Sequence, residues 1–142
     1  MKTRNSLLIA TVLGGALALA GALAQDSKGR TDEWVAPARA AKKKNPVAAD
    51  ALSLEKGKAV YVKECASCHG GTGKGDGSAV KDLEKKPNDL TLAKTLDQSD
   101  GALFWKITEG NKPMASYDKT LSEEDRWHVI NYTRTLAPKP AK

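Results

Sequence analysis

The stretch Cys65-Ala66-Ser67-Cys68-His69 carries the spacing Cys-x-x-Cys-His, the covalent attachment site of a c-type haem. In that chemistry each thiol adds across one vinyl group of the porphyrin as a thioether, and the adjacent histidine lies close enough to bind the iron. Two intervening residues let the cysteines span the two vinyl positions along one helical turn. The chain has two cysteines in all, so attachment uses both and leaves none for a disulfide. A structural zinc site fits less well, because it takes four ligands, commonly from two separated pairs, and the chain holds two Cys and two His in total. A thioredoxin-like Cys-x-x-Cys would follow a strand in a βαβ pattern, and the flanks here do not alternate that way.

Upstream, residues 1–24 read as a secretory signal. Lys2 and Arg4 form its positive start, residues 7–22 are apolar and uncharged, and Ala22-Leu23-Ala24 forms an A-x-A cleavage pattern before Gln25. The competing reading is an uncleaved anchor, since the apolar stretch approaches the ~20 residues that span a bilayer, although Gly14, Gly15 and Gly21 interrupt it. Either way the remainder is expected to be periplasmic or otherwise exported. The formal charge of +6 falls to +4 once Lys2 and Arg4 are removed. No basic patch is interleaved with aromatics, so nucleic acid is not an expected partner. Membrane contact is expected only through the N-terminal segment.

Residues 25–50 lack helical or strand periodicity and are rich in Ala, Lys and Pro, with Lys42-Lys43-Lys44 followed by Asn45-Pro46. They read as a flexible arm or linker, a tether or a surface-wrapping segment, and not as a second domain. Trp34 is the odd residue in it, and the sequence leaves open whether it anchors the arm or is exposed. Residues 51–138 form one small domain, followed by a tail at 139–142. With seven aromatics in the whole chain, a buried porphyrin would supply core bulk that side chains lack. Three helices are expected: 53–65, with Leu54, Gly57, Tyr61 and Cys65 on one face and Ser53 as N-cap; 101–109, with Leu103, Phe104 and Ile107 inward and Gly110 as its stop; and 123–136. The last starts at Ser122-Glu123-Glu124-Asp125, ends before Pro138, and has the stripe Val129, Ile130, Tyr132, Thr133 and Leu136. No stretch alternates as a strand does, and the fold class is all-α.

The run Gly70-Gly71-Thr72-Gly73-Lys74-Gly75-Asp76-Gly77 is not a phosphate loop, because Cys68 stands where the first Gly is required and Gly75 where Ser or Thr is. It reads as a loop bending tightly beside the porphyrin. Of the two methionines, Met1 leaves with the signal, so Met114 is the one thioether left to occupy the iron's second axial position. It lies in the loop Asn111-Lys112-Pro113-Met114-Ala115-Ser116-Tyr117 between two helices. The rival ligand is His128, whose expected place on the last helix is at the surface or partly covered.

As a set, the haem motif with its Gly-rich loop, the Met114 loop and the Leu121-to-Trp127 helix start resemble the class I cytochromes c, in particular the small bacterial monohaem, cytochrome c6-like type. The resemblance covers about residues 51–136. It implies the cytochrome c fold, three to five helices around one covalent haem c and its iron, held by Cys65 and Cys68 with His69 and Met114 as metal ligands. It also implies a Gly57 contact with Tyr132, Tyr61 covering the haem edge, Trp105 as a donor near a propionate, and cofactor contacts from Pro87 and Leu90 in the run Lys86-Pro87-Asn88-Asp89-Leu90. Within that run the Pro87 carbonyl is expected to accept the His69 Nδ1 hydrogen bond, and Leu90 to touch the cofactor. One departure is that Pro113 precedes Met114 and Ala115 follows it, where many members have Pro directly after the ligand.

The function expected is an exported carrier of single electrons between periplasmic or membrane redox partners, with no bond chemistry and so no enzyme activity. Surface lysines such as Lys63, Lys74, Lys112 and Lys119 are candidates for a rim that orients those partners. The alternative is a haem-bearing electron-transfer subunit of a dehydrogenase or oxidase complex, suggested by the arm at 25–50. A gas sensor or peroxidase-like enzyme needs an open iron position, which Met114 argues against.

Overall fold

Asp50 accepts a hydrogen bond from the Ser53 amide at 2.8 Å and starts the longest helical run among the described residues. A computed structural model describes residues 34–137. It contains α1 (Ala38–Ala41), α2 (Ala51–Val60), a π-helical turn (Tyr61–Cys65), α3 (Ala66–His69), a 3-10 turn (Val80–Asp82), α4 (Ala93–Leu96), α5 (Asp100–Glu109) and α6 (Glu123–Arg134). The signal at 1–24, residues 25–33 of the arm, Pro138 and the tail at 139–142 lie outside the described residues. Among the described residues the one non-helical pairing is an isolated bridge between Asn111 and Met114. None of the described helices is long and apolar enough to cross a membrane.

The first expected helix is longer than its pattern suggested. Residues 51–69 form one run through α2, the π turn and α3, so the haem motif ends a helix instead of following one. Its cap is Asp50, not Ser53. Ser53 lies in the first turn, 1% exposed, and is spent on a buried network. The Asn131 Nδ2 donates to Ser53 Oγ at 2.9 Å, and that hydroxyl in turn faces His128 Nδ1 at 2.8 Å. His128 Nε2 faces the Glu124 carboxylate, an acceptor, at 3.2 Å and so carries a proton, and in that tautomer Nδ1 accepts from the Ser53 hydroxyl. His128 is therefore not at the surface but 4% exposed between α2 and α6, with both ring nitrogens engaged within the protein. The expected surface position fails because the sequence shows no partner for a buried imidazole until Ser53 is brought beside it.

Helices α2 and α6 cross at Gly57, where an added Cβ would meet the His128 carbonyl and the Tyr132 side chain. One turn further on, Tyr61 stands against Tyr132 with ring centroids 5.3 Å apart. On its other side α6 packs on α5: Phe104 stacks on Trp127 at 4.0 Å, with Ile130 beside them and Val47, Leu103 and Ile107 around the edge. Residues 126–131 are thus all buried, a full turn and more with no solvent face. The expected stripe included Val129 and Ile130 but missed Trp127, which sits between charged Arg126 and titratable His128. Ser122 caps α6 by accepting from the Asp125 amide, and Ser99 caps α5 by accepting from the Ala102 amide. Arg134 joins the last turn of α6 to Asp100 and to the Leu96 and Gln98 carbonyls at the end of α4.

Residues 34–47 lie along this framework. Trp34 packs on Trp105 with centroids 6.0 Å apart, Ala36 is buried, and Ser99 Oγ donates to the Ala41 carbonyl at 2.6 Å. Asn45 donates to Asn131 at 2.8 Å, and Val47 joins the core. The described part of the segment is seated on α5 and α6 by hydrogen bonds and scattered apolar contacts that have no period.

In a free helix, replacing Gly by Ala gains about 0.5–1 kcal/mol. Gly57→Ala is expected to reverse that sign and destabilise the protein by about 1–3 kcal/mol, because the methyl group has backbone in its way. Ser53→Ala is expected to cost about 1–3 kcal/mol by leaving His128 Nδ1 and the Asn131 amide short of a partner. Urea midpoints of the two variants check both.

Candidate functional site

The π turn, whose last residue is the first cysteine, Cys65, closes with the Ala66 amide on the Tyr61 carbonyl, one residue wider than an α turn. Cys65 and Cys68 then fall within one turn of each other on either side of the start of α3, half-buried and unbridged. Burial, with Glu64 and Cys68 nearby, pushes the Cys65 thiol up to about 12. His69 is the last residue of α3. Burial lowers its pKa, and the Asn88 carbonyl, 3.3 Å from Nδ1, opposes that. The imidazole is neutral at neutral pH, with Nδ1–H on the carbonyl and the Nε2 lone pair free to bind a metal. The acceptor is thus Asn88 and not Pro87. The Pro87 carbonyl lies instead against Gly75, where an added Cβ would meet it at 2.5 Å, so the next carbonyl along faces the ring.

An α-helix leaves its last four carbonyls without helical partners, and α3 must end without disturbing His69. The glycine run does this. The Ala66 carbonyl accepts from Gly70 N–H at 2.9 Å, Ser67 from Ala79 at 2.9 Å, Cys68 from Gly77 at 3.2 Å and His69 from Gly75 at 2.8 Å. The loop expected to approach the porphyrin is thus wrapped first around the end of its own helix. Gly75 needs to be glycine on two counts, a φ of +69° and the Pro87 carbonyl where a side chain would begin.

Tyr61, 1% exposed, donates to the Gly70 carbonyl at 2.7 Å and so holds the exit of α3 against α6. Burial, with Cys65, Tyr132 and Asp76 in turn, raises its phenol pKa. Leu90 donates its amide to the Gly73 carbonyl at 2.7 Å, and its side chain lies beside Gly73, near Leu136. Trp105 has Trp34 as its ring partner and lines the groove of about 500 Å³ between α1 and α5 with Arg39 and Lys43. Met114 is partly buried in the α5–α6 loop, its amide and carbonyl both bonded to Asn111 at 2.9 and 3.0 Å.

Sequence reasoning missed Asn88 and Tyr117. Asn88 acts through its backbone, which no side-chain pattern reveals. Tyr117 follows Met114 by three residues, and its hydroxyl donates to the Glu64 carbonyl at 2.7 Å, directly before Cys65. An aromatic close after the ligand candidate was its only signal.

The two thiols within one turn and a neutral imidazole with one nitrogen committed to a carbonyl fit a covalent haem, with Cys65 and Cys68 as the attachment points and His69 as a ligand. Gly75→Ala is expected to lower the yield and melting temperature of the haem-loaded protein, by about 1–3 kcal/mol in stability, since both φ and the Pro87 carbonyl oppose it. Gly71→Ala, with nothing within 4 Å of the new methyl, is expected to change neither. Haem content and thermal melts of the two variants check the contrast.

No curated protein matches the chain. Among solved structures it is similar to a chain of the Kuenenia stuttgartiensis reducing HAO-like protein complex Kustc0457/Kustc0458, at 30% identity and a TM-score of 0.59. That match covers 66% of this chain and 47% of the other, so the chain spans about half the length of that relative. It is similar in fold to the KustC0563 c-type cytochrome, at 21% identity and a TM-score of 0.51, over 58% of this chain and 98% of that one. Residues 52–132 match the family described as cytochrome c oxidase, cbb3-type, subunit III. By that match and by its helical fold around Cys65, Cys68 and His69, the chain belongs to this family, and it is an electron-transferring class I monohaem cytochrome c with one covalent haem.

Proposed function

We propose that the protein is an exported carrier that moves single electrons between redox proteins through an iron ligated by His69 and Met114. The observation that carries this reading is the committed state of His69: Nδ1 is held by the Asn88 carbonyl, and burial keeps the ring neutral. The haem iron, when bound, supplies the one-electron Fe(III)/Fe(II) couple. The protein's part is to hold two ligands that suit both oxidation states. His69 is fixed by the capped end of α3. Met114 is the remaining thioether once the signal is gone, and a thioether ligand raises the potential. His128 is not available as a rival, since its nitrogens are bonded to Ser53 and Glu124. The reading assigns no bond chemistry to the protein. The lysines at 63, 74, 112 and 119 are exposed and suit weak, salt-sensitive docking to acidic surfaces.

A second reading is a haem-bearing subunit of a larger redox assembly. Two findings favour it: the family is described as an oxidase subunit, and one structural relative comes from a protein complex. Gel filtration of the protein isolated from its host separates the two. Elution at the mass of one chain supports the carrier, and stable co-elution with other polypeptides supports the subunit. The same sample tests export, because cleavage after Ala24 gives Gln25 as the first residue.

The oxidised haem-loaded protein is expected to show the far-red sulfur-to-iron charge-transfer band. Met114→Ala is expected to abolish it and to lower the reduction potential by tenths of a volt, within the ~0.8 V over which axial ligands move haem potentials. A spectrum of the unmutated protein without the band would remove Met114 as ligand and with it the carrier reading.

A further inference from the structure

We propose that Tyr117 is the positioning residue that holds the Met114 loop against the haem-motif helix, and so sets how firmly Met114 stays on the iron. The inference rests on the His69/Met114 reading above and adds to it the means by which the second ligand is held.

Met114 belongs to a segment with little stiffness of its own on its C-terminal side. Ala115 and Ser116 follow it, both exposed, where a proline would have restricted the backbone. Two local contacts fold the loop onto α5. The Ser116 hydroxyl donates to the Thr108 carbonyl at 2.6 Å, and Tyr117 N–H donates to the Ile107 carbonyl at 3.1 Å. Both contacts tie the loop to the helix it has just left, and neither reaches the cysteines. The Tyr117 side chain does. Its hydroxyl crosses to the Glu64 carbonyl at 2.7 Å, a separation of 53 residues in sequence. Glu64 lies inside the π turn, next to Cys65, in the stretch where the wider helical ring loosens the usual ladder. One side chain therefore spans from the Met114 loop to the helix that bears the two attachment cysteines and His69.

The surroundings of that hydroxyl keep it a donor. Burial, followed by Cys65, Glu64 and Cys68, pushes its pKa up to about 12, so it stays protonated at neutral pH. A hydroxyl protonated at neutral pH, set on a backbone carbonyl of the haem-motif helix, fixes the loop's distance from the motif. Removing the hydroxyl leaves α5, the loop's own hydrogen bonds and the cysteines intact. What is lost is the cross-tie.

The test uses imidazole, which competes with a thioether for ferric iron. Tyr117→Phe keeps the ring and deletes the hydroxyl, and Tyr117→Leu is made in parallel so that either folded variant gives the reading. In the haem-loaded protein, imidazole is expected to displace the far-red band at concentrations roughly two- to tenfold lower in the variant, the range that one hydrogen bond covers. Ser53→Ala serves as the comparison for a purely structural effect, since it weakens the α2–α6 core away from the loop. It is expected to lower the melting temperature without shifting imidazole affinity. An unchanged affinity in the Tyr117 variants, or an equal shift in Ser53→Ala, overturns the assignment while leaving Met114 ligation intact. Absence of the band in the unmutated protein overturns the ligation itself, and is read before any variant.

Discussion

The backbone of α6 comes directly against α2 at Gly57, and most of the molecule is arranged around that approach. With no Cβ in the way, the His128 carbonyl sits on the α2 backbone and the Tyr132 side chain is brought close enough to face Tyr61. Tyr61 then reaches the Gly70 carbonyl and holds the exit of the haem-motif helix. The same crossing seats Ser53 against His128 and Asn131. One missing methyl group thus sets both a buried polar network at the start of the α2–α3 run and the anchorage of His69 at its end. Buried polar groups of this kind are expensive unless every member is satisfied, which makes the crossing narrow in its tolerance.

The haem site is built mainly from main-chain hydrogen bonds. Four carbonyls at the end of α3 are met by amides of Gly70, Gly75, Gly77 and Ala79, and the histidine ring is met by the carbonyl of Asn88. Side chains supply the reactive atoms, two sulfurs and one imidazole nitrogen. The backbone supplies their positions. This division explains why the glycine run is so dense: the amides must approach helix carbonyls that a row of Cβ atoms would keep away.

Residues 34–47 extend the domain beyond the region covered by the family match, which begins at residue 52. Their contacts are individually modest. The Lys43–Glu123 pair at 2.7 Å is exposed on both sides and contributes little by itself. Asn45 adds a hydrogen bond to Asn131, Val47 an apolar contact and a carbonyl that accepts from Asn131, and Ala36 and Trp34 add apolar contacts. Together they cover parts of α5 and α6 and add Val47 to the edge of the core of Phe104, Trp127 and Ile130.

The all-α class, the helices near 53–65, 101–109 and 123–136, and the paired cysteines Cys65 and Cys68 of a covalent haem were legible in the sequence, because each rests on local spacing. A Cys-x-x-Cys-His pentad, a Ser cap three residues before the amide it accepts from, and a glycine after a helix are all contained within one turn of chain. What needed the tertiary structure is whatever depends on a partner far along the chain. Ser53 looked like a cap and is a buried donor to His128, 75 residues away. Pro87 looked like the acceptor for His69, but Gly75 takes that carbonyl's side and Asn88 presents the next. Trp127 was hidden among charged neighbours until α5 covered it, and Tyr117 had no stated role until its hydroxyl met Glu64. Local spacing determines which residues carry the chemistry. Packing across the chain decides which hydrogen-bond partners hold them, because a carbonyl or hydroxyl carries no mark in the sequence of the group it will face.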